Sequence, residues 1–256
     1  PDRPSVRTPE PKAPAAAVRQ LHAPAAAAAP INNTGAPQGA WPVLALLRGG
    51  YGNVGRVRPH WVDGFAARGF VVIAPCYRGN EGGEGRDEFG GADREDVAAA
   101  IRLARALPFA EAGPAAVAGF SRGAINAART AADMPEAVRR LILWGGVADL
   151  ARTYEERADL RRLLKRLVGG SPARNPDGYR ERSPLHLAER LRCPVLIVHG
   201  AKDAQVDACH GLSMHAKLRE LGIPAELFYY EEFGHHFPYW DHEALLDRMA
   251  AWLRRA

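Results

Sequence analysis

Of the five serines in this 256-residue chain, one stands in a setting that could do chemistry: Gly119-Phe120-Ser121-Arg122-Gly123. It follows the short apolar run Ala115-Ala116-Val117-Ala118 and precedes an alanine-rich segment, Ala124 to Ala132. Strand, Gly-x-Ser-x-Gly, helix is the context of a nucleophile elbow, in which the hydroxyl stands proud of a sharp turn. The glycines belong to that geometry, because a Cβ on either would collide in so tight a turn. Taken alone, the pattern also fits a glycine-rich turn with a passive serine. A nucleophilic serine needs a base, and the base needs an orienting acid.

Both partners are present in order. Pro194 to Val198 reads as a buried parallel strand, and His199-Gly200-Ala201-Lys202-Asp203 puts an acid just past its end. Ala225 to Tyr230 alternates like a strand, and Glu232-Phe233-Gly234-His235-His236-Phe237 follows it. Ser121, Asp203 and His235 thus all fall at the strand ends where open α/β sheets hold their sites. Rivals remain at two positions. His236 is the alternative base, and Asp207, at the start of a predicted helix, is the alternative acid. His199 reads as a structural histidine. The scattered histidines lack zinc-like spacing, so the expected chemistry uses no metal and no cofactor.

The elements that must position these residues alternate regularly from Trp41 onward. Strands are expected at Val43–Leu47, Phe70–Ala74 and Leu141–Trp144 in addition to those above, with helices at Trp61–Arg68, Asp93–Leu107, Val206–Leu221 and His242–Arg255. Such alternation predicts an α/β fold with a mostly parallel sheet and helices on both faces. Residues 41–256 suffice for one large catalytic domain. Within it, 148–185 reads as a helical cap excursion, charged over Ala148 to Val168. Residues 1–40, rich in Pro and Ala, read as an extended arm or linker.

Composition excludes several function classes. The net charge of +5 is mild and scattered, with no basic stripe interleaved by aromatics, so no nucleic-acid partner is expected. No apolar run approaches membrane-spanning length, and no signal-peptide stretch is evident. The expected location is cytoplasmic, with secretion after processing as the alternative. Cys76, Cys193 and Cys209 have no metal-like spacing, and the first and second read as small core residues. A homo-oligomer is open, with no specific residue behind it.

Several blocks together resemble the catalytic domain of prolyl oligopeptidase-type serine peptidases, including the acylaminoacyl and dipeptidyl peptidase relatives. They are Arg48-Gly49-Gly50-Tyr51, Tyr77-Arg78-Gly79 with its glycine-rich sequel, the elbow, Ser183-Pro184, Cys193-Pro194 to Asp203 with Val206, and Gly234-His235 with Phe237. The resemblance covers residues 41 to 256 and implies an α/β-hydrolase fold with Ser121, Asp203 and His235 as the triad. It also implies an oxyanion site made by the backbone N–H groups of Arg122 and of the Gly50-Tyr51 turn. Dienelactone hydrolases and carboxylesterases share the fold and some of these loops.

Three departures stand out. The family's β-propeller does not fit into the forty residues ahead of the domain, two early strands of the fold are poorly evident there, and Arg48 stands where relatives carry His or Tyr. Arg48 is expected to pair with an acid rather than donate to the oxyanion. Tyr77-Arg78-Gly79 reads as a loop-shaping element, and Glu81, Glu84, Asp87 and Glu88 as a solvated loop, with carboxylates facing a cationic substrate as the alternative. Arg48, Trp144 and Phe237 are candidate substrate-pocket residues, with Tyr154, Tyr239 and Trp240 as further ones; for each of the five aromatics core packing is an equal competing reading. The expected substrate is a short peptide or a small ester, cleaved through an acyl-enzyme. A carboxylesterase is the first alternative, and a catalytically silent binding module the second.

Overall fold

A computed structural model describes residues 41–255. The expected arm, and the place where two earlier strands would fall, lie outside the described residues. In chain order the elements are β1 (Val43–Leu47), α1 (Pro59–Ala67), β2 (Val71–Ile73), α2 (Arg94–Arg105), β3 (Ala115–Phe120), α3 (Gly123–Asp133) and β4 (Val138–Trp144). Then come α4 (Leu150–Glu156), α5 (Arg161–Val168), α6 (Pro176–Arg180), α7 (Pro184–Leu187), β5 (Val195–Gly200), α8 (Cys209–Glu220), β6 (Ala225–Tyr230) and α9 (Tyr239–Leu253). The short apolar runs form strands because every residue of β1, β2, β3 and β5 is buried, as a sheet covered on both faces requires.

All five strand pairings are parallel, in the order β2-β1-β3-β4-β5-β6. Alternate residues of β1 serve opposite layers. Val43, Ala45 and Leu47 pack with α2, α3 and α8, whereas Leu44 and Leu46 pack with α1 and α9. The chain leaves β1 toward β2 and returns to β3 on the other side. That reversal opens a crevice at the carboxyl ends of β1 and β3, where ligands bind in sheets of this kind.

The helical excursion is built from several short helices. A 3₁₀ turn at Ala158–Leu160 divides α4 from α5. Two caps the sequence reading passed over define its flanking helices. Asp149 accepts from Ala151 N (2.9 Å) and Arg152 N (3.2 Å) to start α4, and Asn175 Oδ1 accepts from Gly178 N (3.2 Å) to start α6. Their inner faces join Phe89, Ile125 and Val206 in a third apolar cluster, separate from the two that sandwich the sheet.

Helix α9 begins at Tyr239, three residues before the expected His242, directly after Pro238. His242 is consequently inside the helix and buried, stacked 5.1 Å from Trp61 and 5.4 Å from Trp144. Burial pushes its pKa down to about 4 from 6.5; Glu243 opposes this, and His60, Arg58 and Arg68 reinforce it. The unfolded chain therefore binds a proton between pH 6.5 and about 4 that the folded chain refuses, and stability falls as pH drops through that window. His242→Phe keeps a stacking ring and removes the proton. Thermal unfolding followed from pH 7 to 4 should show a shallower decline in the variant, by roughly 1–3 kcal/mol across the window. Identical slopes in the two proteins would show that His242 does not carry this loss.

Candidate active site

Ser121 follows β3 with φ of 56°, a left-handed conformation that costs a non-glycine residue on the order of 1–3 kcal/mol. Its neighbours hold it there. Ser121 N donates to Trp144 O (2.8 Å), and its carbonyl accepts from Ala124 N (3.1 Å) and Val147 N (3.2 Å). A Cβ on Gly119 would run into Gly123 O, and one on Gly123 into Leu47 O. The two glycines of the motif thus let α3 leave the strand against its own turn and against the end of β1. Arg122 precedes the first residue of α3, so its N–H belongs to the donors that a helix leaves without an internal partner.

Asp203 lies three residues past β5 and His235 five past β6. His235 Nδ1 is 2.7 Å from Asp203 Oδ2, and both residues are buried. A carboxylate only accepts, so Nδ1 carries a proton toward Asp203, and in the neutral tautomer Nε2 is the nitrogen with the free lone pair. Asp203 Oδ1 accepts from Gln205 N (2.8 Å) and Val206 N (2.9 Å). Burial pushes the Asp203 carboxyl up, but the His235 bond and these backbone donors outweigh it and hold it below the usual carboxylate range. The rivals are engaged elsewhere. Asp207 Oδ1 accepts from Cys209 N (2.8 Å) beside α8, and His236 Nε2 meets Arg58 Nη2 at 3.3 Å. His199 Nε2 bonds Val206 O at 2.9 Å and supports the Asp203 loop from below.

Ser121, Arg122, His235, Gly50 and Tyr51 line one cavity of about 550 Å³. Gly50 has a φ of +64°, and the turn it makes folds back so that Gly55 packs against it. Arg48 is on the wall too, with its guanidinium taken up. Nε and Nη2 donate to Cys76 O (3.3 and 2.9 Å), Nη1 donates to Gly49 O (3.2 Å), and Nη2 is 3.6 Å from Asp87 Oδ2. Asp87, expected in a solvated loop, is 4% exposed and also takes Arg122 Nη1 at 2.5 Å. Both guanidinium groups also pack on the Tyr77 ring, their carbons 4.7 and 5.0 Å from its centre.

Trp144 and Phe237 are not where the pocket expectation put them. Trp144 is buried and stacked 4.3 Å from Trp61, and Phe237 packs against Phe233 and Tyr230. Both lie outside the cavity lining, because the side chains at these positions turn toward α1 and α9. The cavity instead uses Arg58, Val57 and His236, together with Thr153, Arg157, Leu160 and Leu163 from the α4–α5 segment. No motif marks these residues; the one available signal was the doubled His235-His236.

A parallel sheet with a strained serine after β3, an acid after β5 and its histidine partner after β6 defines the α/β-hydrolase class of serine hydrolases. A family model, Peptidase_S9, the prolyl oligopeptidase family, matches residues 57–256, and the chain belongs to that family of serine peptidases. It is 41% identical over 219 residues to the uncharacterized peptidase YtmA of Bacillus subtilis (strain 168), covering 86% of this chain and 85% of that one. Among solved structures it is similar to a puromycin-hydrolyzing peptidase of Mycobacterium tuberculosis (TM-score 0.75, 26% identity, 85% of this chain and 34% of that one). An acylaminoacyl peptidase bound to Z-Gly-Gly-Phe-chloromethyl ketone shares the fold at 18% identity (TM-score 0.73, 89% of this chain and 38% of that one). This chain thus spans little more than a third of the length of those solved chains.

Proposed function

We propose that this protein hydrolyses short peptides through a Ser121-His235-Asp203 triad and an acyl-enzyme. The observation that carries the reading is the buried 2.7 Å bond from His235 Nδ1 to Asp203, with Ser121 and His235 on the wall of one cavity. Ser121 Oγ attacks the scissile carbonyl carbon as His235 Nε2 takes its proton. Asp203 holds the tautomer and stabilises the imidazolium. The developing oxyanion takes the N–H of Arg122 and one from the Gly50-Tyr51 turn. His235 then returns the proton to the departing amine, and water repeats the sequence in reverse to free the acyl group. The α4–α5 segment acts as a cap that narrows the cavity from above.

A fluorophosphonate probe should label the wild type and not Ser121→Ala; an unlabelled wild type would sink the serine-hydrolase reading. Aminoacyl p-nitroanilides should then turn over within roughly tenfold of the matching p-nitrophenyl esters, a gap of about 1.4 kcal/mol in barrier. Ester cleavage with no measurable anilide cleavage would replace the peptidase with an esterase.

A further inference from the structure

The charges on the cavity wall do not balance. Five arginines line it: Arg48, Arg56, Arg58, Arg122 and Arg157; Asp159 is the one carboxylate among the described lining residues. Three of the arginines have protein counter-ions. Arg48 and Arg122 share Asp87, and Arg157 Nε and Nη2 meet the two oxygens of Asp159 at 2.9 and 2.7 Å. Arg56 and Arg58, on the loop ahead of α1, pair with no carboxylate among the described residues.

Arg58 is the better placed of the two. Its guanidinium carbon lies 4.8 Å from the Trp61 ring centre and 5.8 Å from that of Phe120. Its Nη2 donates to His236 Nε2 at 3.3 Å, which leaves the other guanidinium donors without a protein acceptor among the described residues. These two ring contacts hold the guanidinium in place. Burial pushes the His236 pKa down to about 4, helped by the Arg58 charge, so near neutral pH the ring is an uncharged acceptor and adds no competing cation.

Phe120 bridges this cation to the catalytic side, with its ring centre 4.7 Å from that of His235 and 5.3 Å from that of His236. The leaving amine must receive its proton from the His235 imidazole, so the leaving half of the substrate lies on the imidazole side of Ser121. Arg58 is joined to that side through Phe120 and His236.

We infer that Arg58, with Arg56 beside it, is a specificity site for a carboxylate on the leaving half, so that the preferred substrate is a short peptide cleaved close to its free C-terminus. The inference rests on Ser121 and His235 acting as proposed above. A planar guanidinium binds such a carboxylate through paired N–H donors, and unpaired cations along the wall raise the local concentration of anionic substrates.

The test compares an N-blocked dipeptide bearing a free C-terminal carboxylate with the same dipeptide as its C-terminal amide. The wild type should favour the acid at least tenfold in kcat/KM. Arg58→Gln should lower that acid-to-amide ratio about tenfold or more, and Arg58→Lys should restore part of it. Taking the ratio within each variant cancels any general loss of activity from disturbed folding. Equal cleavage of acid and amide by the wild type overturns the assignment, as does a preference that survives in Arg58→Gln. If neither peptide is cut while the fluorophosphonate still labels Ser121, the carboxylate site is overturned and the serine-hydrolase reading stands. Absence of labelling overturns both.

Discussion

Asp203→Asn will lower kcat by about 10³- to 10⁴-fold while moving the unfolding midpoint little. The size of the effect comes from the direction in which the amide must point. Oδ1 of Asp203 accepts from Gln205 N and Val206 N at 2.8 and 2.9 Å, and Oδ2 faces His235 Nδ1 at 2.7 Å. An asparagine can meet the two backbone donors only with its oxygen, so its NH₂ must face the imidazole. That forces Nδ1 to accept and places the ring proton on Nε2, where it blocks the nitrogen that should receive the serine proton. The loop keeps its own bonds, so stability is largely spared. Single-turnover acylation with a p-nitrophenyl ester, read beside thermal unfolding, checks both halves. A loss below tenfold would mean that Asp203 does not set the tautomer.

The second large effect is on stability. Asp87 is the shared counter-ion of two buried arginines, 2.5 Å from Arg122 Nη1 and 3.6 Å from Arg48 Nη2. It also accepts from Phe89 N at 3.0 Å. Burial alone would lower the Arg122 pKa, but Asp87 and Asp93 together outweigh it and hold it above its ordinary value. Arg48 stays below its ordinary value, by burial first and by repulsion from Arg122 second. Asp87→Asn keeps the shape and removes one of the nearby negative charges. Breaking a buried pair from one side costs about 3–5 kcal/mol, since the remaining cations cannot reach water. Denaturant unfolding should show a loss of about 3 kcal/mol or more, which for a chain of this size is roughly 6–12 °C in Tm. A shift under about 1 kcal/mol would mean that water or Asp93 already neutralises the pair. Because Arg122 also carries a proposed oxyanion N–H, a fall in activity at temperatures where the variant is still folded is expected as well.

The residues of the site differed in how far they could be read in advance, and the reasons are physical. Gly119 and Gly123 were legible because the tight turn into α3, and its close approach to the end of β1, admit only one residue type at these positions, so the backbone requirement is written in the sequence. The strand ends that carry Asp203 and His235 were legible because buried parallel strands announce themselves as apolar runs. Trp144 stayed undecided between pocket and core because an aromatic at a strand end serves either equally well; the side of the sheet that it faces decides, and here it faces Trp61. Asp87 was misread because a carboxylate in a glycine-rich loop ordinarily meets water. Its counter-ions are 39 and 35 positions away, at Arg48 and Arg122.

What the sequence determined by itself was local or periodic: the alternation that makes a parallel sheet, the turn that strains Ser121, and the order of the carboxylate and the histidine behind it. Those features follow from backbone sterics and burial patterns, which act over a few residues at a time. What only the tertiary structure decided was pairing. It joined Arg48 to Asp87, brought α4 and α5 to the cavity wall, and left Arg58 facing the cavity without a carboxylate partner among the described residues. Charge compensation and cavity lining depend on contacts between residues far apart in the chain, and no local pattern encodes them.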